Sequence, residues 1–90
     1  MILKNFRITN ETGIHARPAT ALVNTAMEFE CDIVLSALKK SVDLKSIMGV
    51  MSLGIYSGTT IEIKATGVDE AKAIKALADK ITEMNLGKEI

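Results

Sequence analysis

Hydrophobic and polar residues alternate from Ile2 to Thr9, with Ile2, Phe6 and Ile8 on one parity and Asn5, Arg7 and Thr9 on the other. This period of two is broken only by Lys4 on the apolar side and Leu3 on the polar side, and it predicts a strand with one buried face. Asn10-Glu-Thr-Gly13 reads as a turn, its glycine free to take positive φ. From Ala16 the period lengthens. Ala19, Leu22, Val23 and Ala26 make a helical stripe. Pro18 falls in the first turn, where a missing N–H costs nothing, and the helix should end near Met27.

Asp32 to Ala37 alternates around Ile33 and Leu35, and Val42 with Leu44 marks another short strand. The Ala37-Leu38-Lys39-Lys40 link between them lacks the Asn-Gly or Asp-Gly of a tight hairpin, so its turn type stays open. Ser46 precedes Ile47-Met-Gly-Val-Met-Ser-Leu53, and Gly54 stops it, which predicts a short helix with a serine N-cap. Tyr56-Ser-Gly58-Thr is a turn. Ile61, Ile63 and Ala65 then alternate with Thr60, Glu62 and Lys64, the cleanest strand in the chain. After Gly67, Asp69 and Glu70 stand where a helix start favours negative charge. Ala71, Ile74, Leu77, Ala78 and Ile81 form the last helical face, and Lys75 with Asp79 adds an i,i+4 pair. The order is β-α-β-β-α-β-α. Strands with one apolar parity need cover on one face only, which antiparallel sheets permit. The expectation is an α+β open-faced β-sandwich: four antiparallel strands, with three helices on one face, as a single domain over residues 1–90.

Composition narrows the function. A chain of 90 residues, 48% hydrophobic and 24% charged, is globular and holds one modest core. Eleven basic against eleven acidic residues leave no net charge to neutralise phosphates, and Phe6, Phe29 and Tyr56 are the only aromatics, too few for a base-stacking platform. Nucleic acid is therefore disfavoured as a partner. One His and one Cys make neither a structural zinc site nor a disulfide. The start lacks the apolar run of a signal peptide, and no stretch approaches the roughly 18 apolar residues of a membrane span. A cytoplasmic protein without membrane insertion is expected.

Two places carry candidate chemistry. In Gly13-Ile14-His15-Ala16-Arg17-Pro18 the only histidine lies just before a helix, with Arg two residues on. A helix start has unpaired N–H groups and a partial positive charge, so it favours an anion. The N–H groups of Ala16 and Arg17 are free to donate. Arg17 adds a fork suited to phosphate oxygens, each charge-assisted bond contributing on the order of 1.5–3 kcal/mol. Imidazole is a nucleophile near neutral pH, so a phosphoryl group on His15 would sit at this anion site. No partner base stands nearby in the sequence, which suits holding a reactive phosphate better than turning over a substrate. The alternative is an ordinary N-cap or surface histidine, and spacing alone leaves both readings open.

The second place is Lys45-Ser46-Ile47-Met48-Gly49-Val50-Met51-Ser52-Leu53. Ser46 serves as N-cap, worth about 1 kcal/mol against alanine, and Gly49 at the third position excludes a reciprocal capping box. Two turns of helix cannot bury Ile47, Met48 and Met51 together, so part of this set faces solvent as a docking surface. Core packing of all three is the competing reading. Cys31 reads as a small buried hydrophobe, and Lys39, Lys40, Lys45 and Lys64 as solvated positions.

Thr12-Gly-Ile-His15-Ala-Arg-Pro-Ala-Thr20 and Leu44-Lys-Ser-Ile-Met-Gly-Val-Met-Ser-Leu-Gly54 resemble the two motifs of the HPr family, the histidine-containing phosphocarriers of the phosphoenolpyruvate-dependent sugar phosphotransferase system. The likeness runs through nearly the whole chain, and the second motif is that of low-GC Gram-positive members, which also carry a regulatory serine. It implies that His15 accepts phosphate on Nδ1 from enzyme I and passes it to the A domain of a sugar-specific enzyme II. Arg17 would neutralise the phosphate, and Thr12 would add a contact. Ser46 would be phosphorylated by HPr kinase/phosphorylase. Thr20, Ile47, Met48 and Met51 would receive enzyme I, the enzyme II domains and the catabolite-control repressor. No cofactor or metal is implied, and a monomer is expected. A phosphate on Ser46 would add about −1.5 to −2 charges at the edge of the docking patch and oppose binding without a change of fold. Members often carry Asn-Gly or Asp-Gly in the hairpin where Leu38-Lys39 stands here. Competing readings are a regulatory paralogue without the active histidine, a small nucleic-acid-binding domain and a self-contained enzyme.

Overall fold

The computed structural model describes all 90 residues. Its elements are β1 (Ile2–Ile8), α1 (Ala16–Ala26), β2 (Asp32–Ala37), β3 (Lys40–Asp43), α2 (Ile47–Ser52), β4 (Thr60–Thr66), α3 (Glu70–Glu83) and β5 (Gly87–Glu89). All strand pairs are antiparallel and form one sheet in the order β3-β2-β4-β1-β5. Phe6 and Ile8, Ile33 and Leu35, and Ile61, Ile63 and Ala65 project from one face into the core. Ala19, Leu22 and Val23 of α1 and Ile74, Leu77 and Ile81 of α3 meet them there. Each Ile or Leu so enclosed stabilises the fold by roughly 1.5–3 kcal/mol relative to exposure. The α+β open-faced sandwich expected from the alternation is the fold observed.

The strand count is corrected: the sheet has five strands, not four. Gly87-Lys88-Glu89 is too short and too polar to alternate, and backbone geometry alone places it. Asn85 takes φ 52, in the left-handed region. Asn85 N–H donates to the Thr82 carbonyl and Leu86 N–H to the Ile81 carbonyl, both at 3.0 Å, the bond pair that closes a helix C-terminus. Leu86 is buried, and the chain leaves alongside β1 with Gly87 opposite Ile8. A Cβ on Gly87 would collide with the Arg7 carbonyl, so only glycine allows this approach.

The hairpin that the sequence left open is a two-residue loop, because Ala37 pairs with Lys40. Leu38 and Lys39 have φ 52 and 68, the left-handed pair of a type I′ turn. Neither residue relieves the roughly 1–2 kcal/mol per residue that this conformation costs. Strand register imposes it, helped by the 2.7 Å hydrogen bond between the Ser36 and Ser41 hydroxyls. The strand marked by Val42 and Leu44 ends at Asp43, and Leu44 lies just beyond it, buried, its N–H on the Ile33 carbonyl at 3.0 Å.

Candidate functional site

The loop ahead of α1 is fixed from two sides. Gly13 has φ +64, and a Cβ there would collide with the Ile55 carbonyl and lie 2.8 Å from Tyr56 Cα. Ile14 N–H donates to that same carbonyl at 3.0 Å, which joins the loop to the chain leaving α2. On the other side the Leu86 carbonyl accepts from Thr9 N–H at 3.0 Å and from Asn10 N–H at 3.3 Å. Within the loop, Asn10 Nδ2 donates to the Gly13 carbonyl at 2.8 Å and to Thr12 Oγ1 at 3.2 Å. Residues distant in sequence thus set where α1 begins.

His15 is the N-cap of α1, with extended backbone (φ −94, ψ −169), and its side chain caps nothing. Its carbonyl accepts from Ala19 N–H at 3.0 Å, while its ring is exposed. The N–H groups of Ala16 and Arg17 have no partner, and no acidic residue occupies the first turn. Arg17 is exposed and takes part in none of the ion pairs of the chain. His15 and Arg17 share a cleft of about 260 Å³ with Asn10, Pro18, Met84 and Leu86. Uncapped donors, a free guanidinium and an unengaged imidazole favour an anion on the ring. A larger cleft of about 500 Å³ lies by Asp32, Asp43 and Lys45 and includes none of these groups. His15 and Arg17 are both exposed at this site, which suits a group presented to another macromolecule.

Ser46 caps α2, its Oγ accepting from Gly49 N–H at 3.0 Å. Of the α2 residues only Val50 is buried. Met48 is 84% exposed, Ile47 and Met51 each 41%, which rejects core packing for these three. Thr20 is exposed on α1, which packs against α2, and its hydroxyl donates to the Ala16 carbonyl at 2.8 Å. Thr12 does not line the cleft and reaches it only through Asn10. Sequence reasoning missed Asn10, Met84 and Leu86 as cleft residues. Asn10 was legible only as a turn residue, and nothing local marks Met84 or Leu86, which the closure of α3 brings there.

Cys31 is buried, and its thiol is pushed up to about 11, first by burial and then by the Asp69 carboxylate beside it. No group of three His, Cys, Asp or Glu side chains could hold a metal ion. No helix is long and apolar enough to cross a membrane.

An open-faced sandwich that displays one histidine at the start of its first helix, beside an arginine and an apolar ledge, defines a class of small phosphoryl-carrier modules. Residues 2–83 match the family model described as the PTS HPr component phosphorylation site, and the chain belongs to that family, the HPr phosphocarriers of the sugar phosphotransferase system. It is similar to the histidine-containing phosphocarrier protein of Mycoplasma, with 38% identity over 96% of this chain and 98% of that one, TM-score 0.94. It is similar to HPr of Thermoanaerobacter tengcongensis, 46% identical over 92% and 93%, TM-score 0.87. It is also similar to Crh of Bacillus subtilis, a catabolite-repression HPr, 38% identical over 92% and 95%, TM-score 0.72. That Crh structure is a domain-swapped dimer, and a Thermoanaerobacter HPr dimer is also similar, so the family includes dimers alongside the monomer expected here.

Proposed function

We propose that this chain takes a phosphoryl group onto His15 from phosphorylated enzyme I and delivers it to the A domains of sugar-specific enzyme II. The Nδ1 lone pair attacks phosphorus, and the bond from phosphorus to the donor breaks as the new N–P bond forms. The same step in reverse sense hands the group on. Arg17 and the unpaired N–H groups of Ala16 and Arg17 face the charge on the phosphoryl oxygens. The protein regenerates its imidazole and turns over no substrate alone. The observation that carries this reading is the exposed His15 ring, bonded to nothing at a helix start left without a side-chain cap.

Ser46 is the regulatory site in this reading, phosphorylated by HPr kinase/phosphorylase. Its oxygen already accepts from Gly49 N–H, so its own proton is not committed by that bond. Phosphate there would put about −1.5 to −2 charges beside Ile47, Met48 and Met51, the ledge offered to enzyme I, the enzyme II domains and the catabolite-control repressor. The protein works in the cytoplasm as a monomer of one domain, which sedimentation checks for the oligomeric state.

The test mixes the protein with phosphoenolpyruvate and purified enzyme I and maps the label by mass spectrometry. One acid-labile phosphate is expected, absent from His15→Ala, with the fold retained because the ring is exposed. Acid-stable label, or label surviving the substitution, would sink the carrier reading.

A further inference from the structure

The two kinds of sulfur in this chain are placed in opposite ways. Met48 is 84% exposed and Met51 41%, three residues apart on α2 and so neighbours along one side of the helix. Val50 between them is the α2 residue that enters the core. A thioether has no proton to lose, so its oxidation needs only that an oxidant reach the sulfur. A thiol reacts as thiolate. Cys31 is buried and its thiol is pushed up to about 11, so it offers an oxidant almost nothing. A peroxide therefore meets methionine sulfur first. Of the other methionines, Met1 and Met27 are exposed but lie outside α2, and Met84 is half-buried.

Building on the carrier reading, we propose that Met48 and Met51 are oxidation sites: hydrogen peroxide converts them to sulfoxides, and the ledge they form then receives enzyme I less well. A sulfur lone pair attacks one peroxide oxygen, the S–O bond forms as the O–O bond breaks, and the other oxygen leaves as water with both protons. The sulfur gives up two electrons and the peroxide takes them. The product carries a polar S–O group that holds water where the thioether offered a pliable apolar surface. Ile47 alone keeps its apolar character on the ledge. Neither methionine belongs to the core cluster, so the fold survives the change. Methionine sulfoxide reductases reverse it. It differs from a phosphate on Ser46 in removing apolar contact without adding charge, so salt should not screen its effect.

The test treats the intact protein with hydrogen peroxide, maps the sulfoxides by mass spectrometry and measures loading by enzyme I and phosphoenolpyruvate. The control is the double variant Met48→Leu with Met51→Leu, which keeps the apolar volume and has no sulfur to oxidise there. Met1, Met27 and Met84 are present in both proteins, so the difference between the two reads Met48 and Met51 alone. Oxidation should raise the KM of enzyme I for the wild type about fivefold or more at unchanged kcat, and leave the double variant as it was. The rise should persist at high salt with an unchanged circular-dichroism spectrum, and a methionine sulfoxide reductase should restore the original KM. Absence of sulfoxide at Met48 and Met51, an unchanged KM in the oxidised wild type, an equal rise in the double variant, or a fall in kcat alone would overturn the proposal. Failure of enzyme I to label either protein before peroxide is added would overturn the carrier reading, and the role of the ledge with it. The sulfoxide map tells that failure apart from one in which Met48 and Met51 do not react.

Discussion

The starts of α1 and α3 are built in opposite ways. At α3 every carboxylate is employed. Asp69 accepts from the N–H groups of Glu30 and Cys31, both at 2.9 Å, and Glu70 accepts from Gly67 N–H at 3.0 Å and pairs with the Met1 ammonium at 2.7 Å. Asp69 makes no side-chain bond to its own helix; it ties α3 to the connection between α1 and β2. At α1 there is no acid in the first turn and no cap, and the donors stay free. A helix start with its partners supplied by the chain itself stabilises the fold, and one left bare is available to a ligand. α2 stands between these cases, capped by a serine whose modification would change its charge.

If the bare start works as an anion site, Arg17→Ala should have the largest effect after loss of the histidine itself. Removing a charge-assisted donor should slow phosphoryl transfer from enzyme I by about 10- to 100-fold at unchanged thermal stability. Stopped-flow or quench assays read the rate, and calorimetry the midpoint. A midpoint that falls with the rate would make Arg17 structural. Ser46→Asp probes the intermediate case. It should slow loading by enzyme I about tenfold, most at low salt, with an unchanged circular-dichroism spectrum. Equal rates for the two proteins would remove the ledge beside Ser46 from the route.

Asp69→Asn breaks the closed start. An amide oxygen can still accept one of the two N–H bonds but not both, so the unfolding midpoint should fall while transfer through His15 is unaffected. The bonds from Glu30 N–H, then the Cys31 thiol and N–H, hold the Asp69 carboxyl below its ordinary value of 3.8. A depressed carboxyl stabilises the fold above the unfolded value and loses that contribution as pH falls through the lower folded one. Acid titration of the midpoint should show this limb in the wild type and a flatter one in the variant. The Cys31 thiol acts at the other extreme. Raised from 9.0 to about 11, it stabilises the fold below pH 9 and loses that contribution as pH climbs toward 11. A Cys31→Ala variant should lack that alkaline slope.

Elements with their own periodicity were legible in the sequence. Ile61, Ile63 and Ala65 gave β4, and the Ala19–Leu22–Val23–Ala26 stripe gave α1, because burial on one face leaves its period in the residues. His15, Arg17 and Ser46 stood out through local chemistry at helix starts. The rest depended on contacts at long range. β5 exists because Asn85 closes α3 and Gly87 fits against Arg7, neither of which leaves an alternating pattern. The type I′ turn at Leu38 and Lys39 runs against residue preference, since register with β2 overrides it. Likewise Asp69 was legible as a helix-start acid, but its partners lie across the molecule at Glu30 and Cys31. Met84 and Leu86 join the histidine cleft only once the sheet and α3 have formed.

The sharpest use of the contrast is to give α1 what α3 has. Ala16 is exposed in the first turn of α1, so Ala16→Glu adds a carboxylate there with no steric conflict. An acid at that position should stabilise the fold by roughly 0.3–1 kcal/mol through the helix dipole, the smallest of these effects and readable as a small rise in midpoint. The same charge occupies the field meant for phosphoryl oxygens, so loading of His15 should slow even as stability increases. Opposite signs for the two readouts are what an anion site kept open at the expense of stability requires. A rise in both would mean that the bare start of α1 is incidental, and that Arg17 alone faces the phosphate.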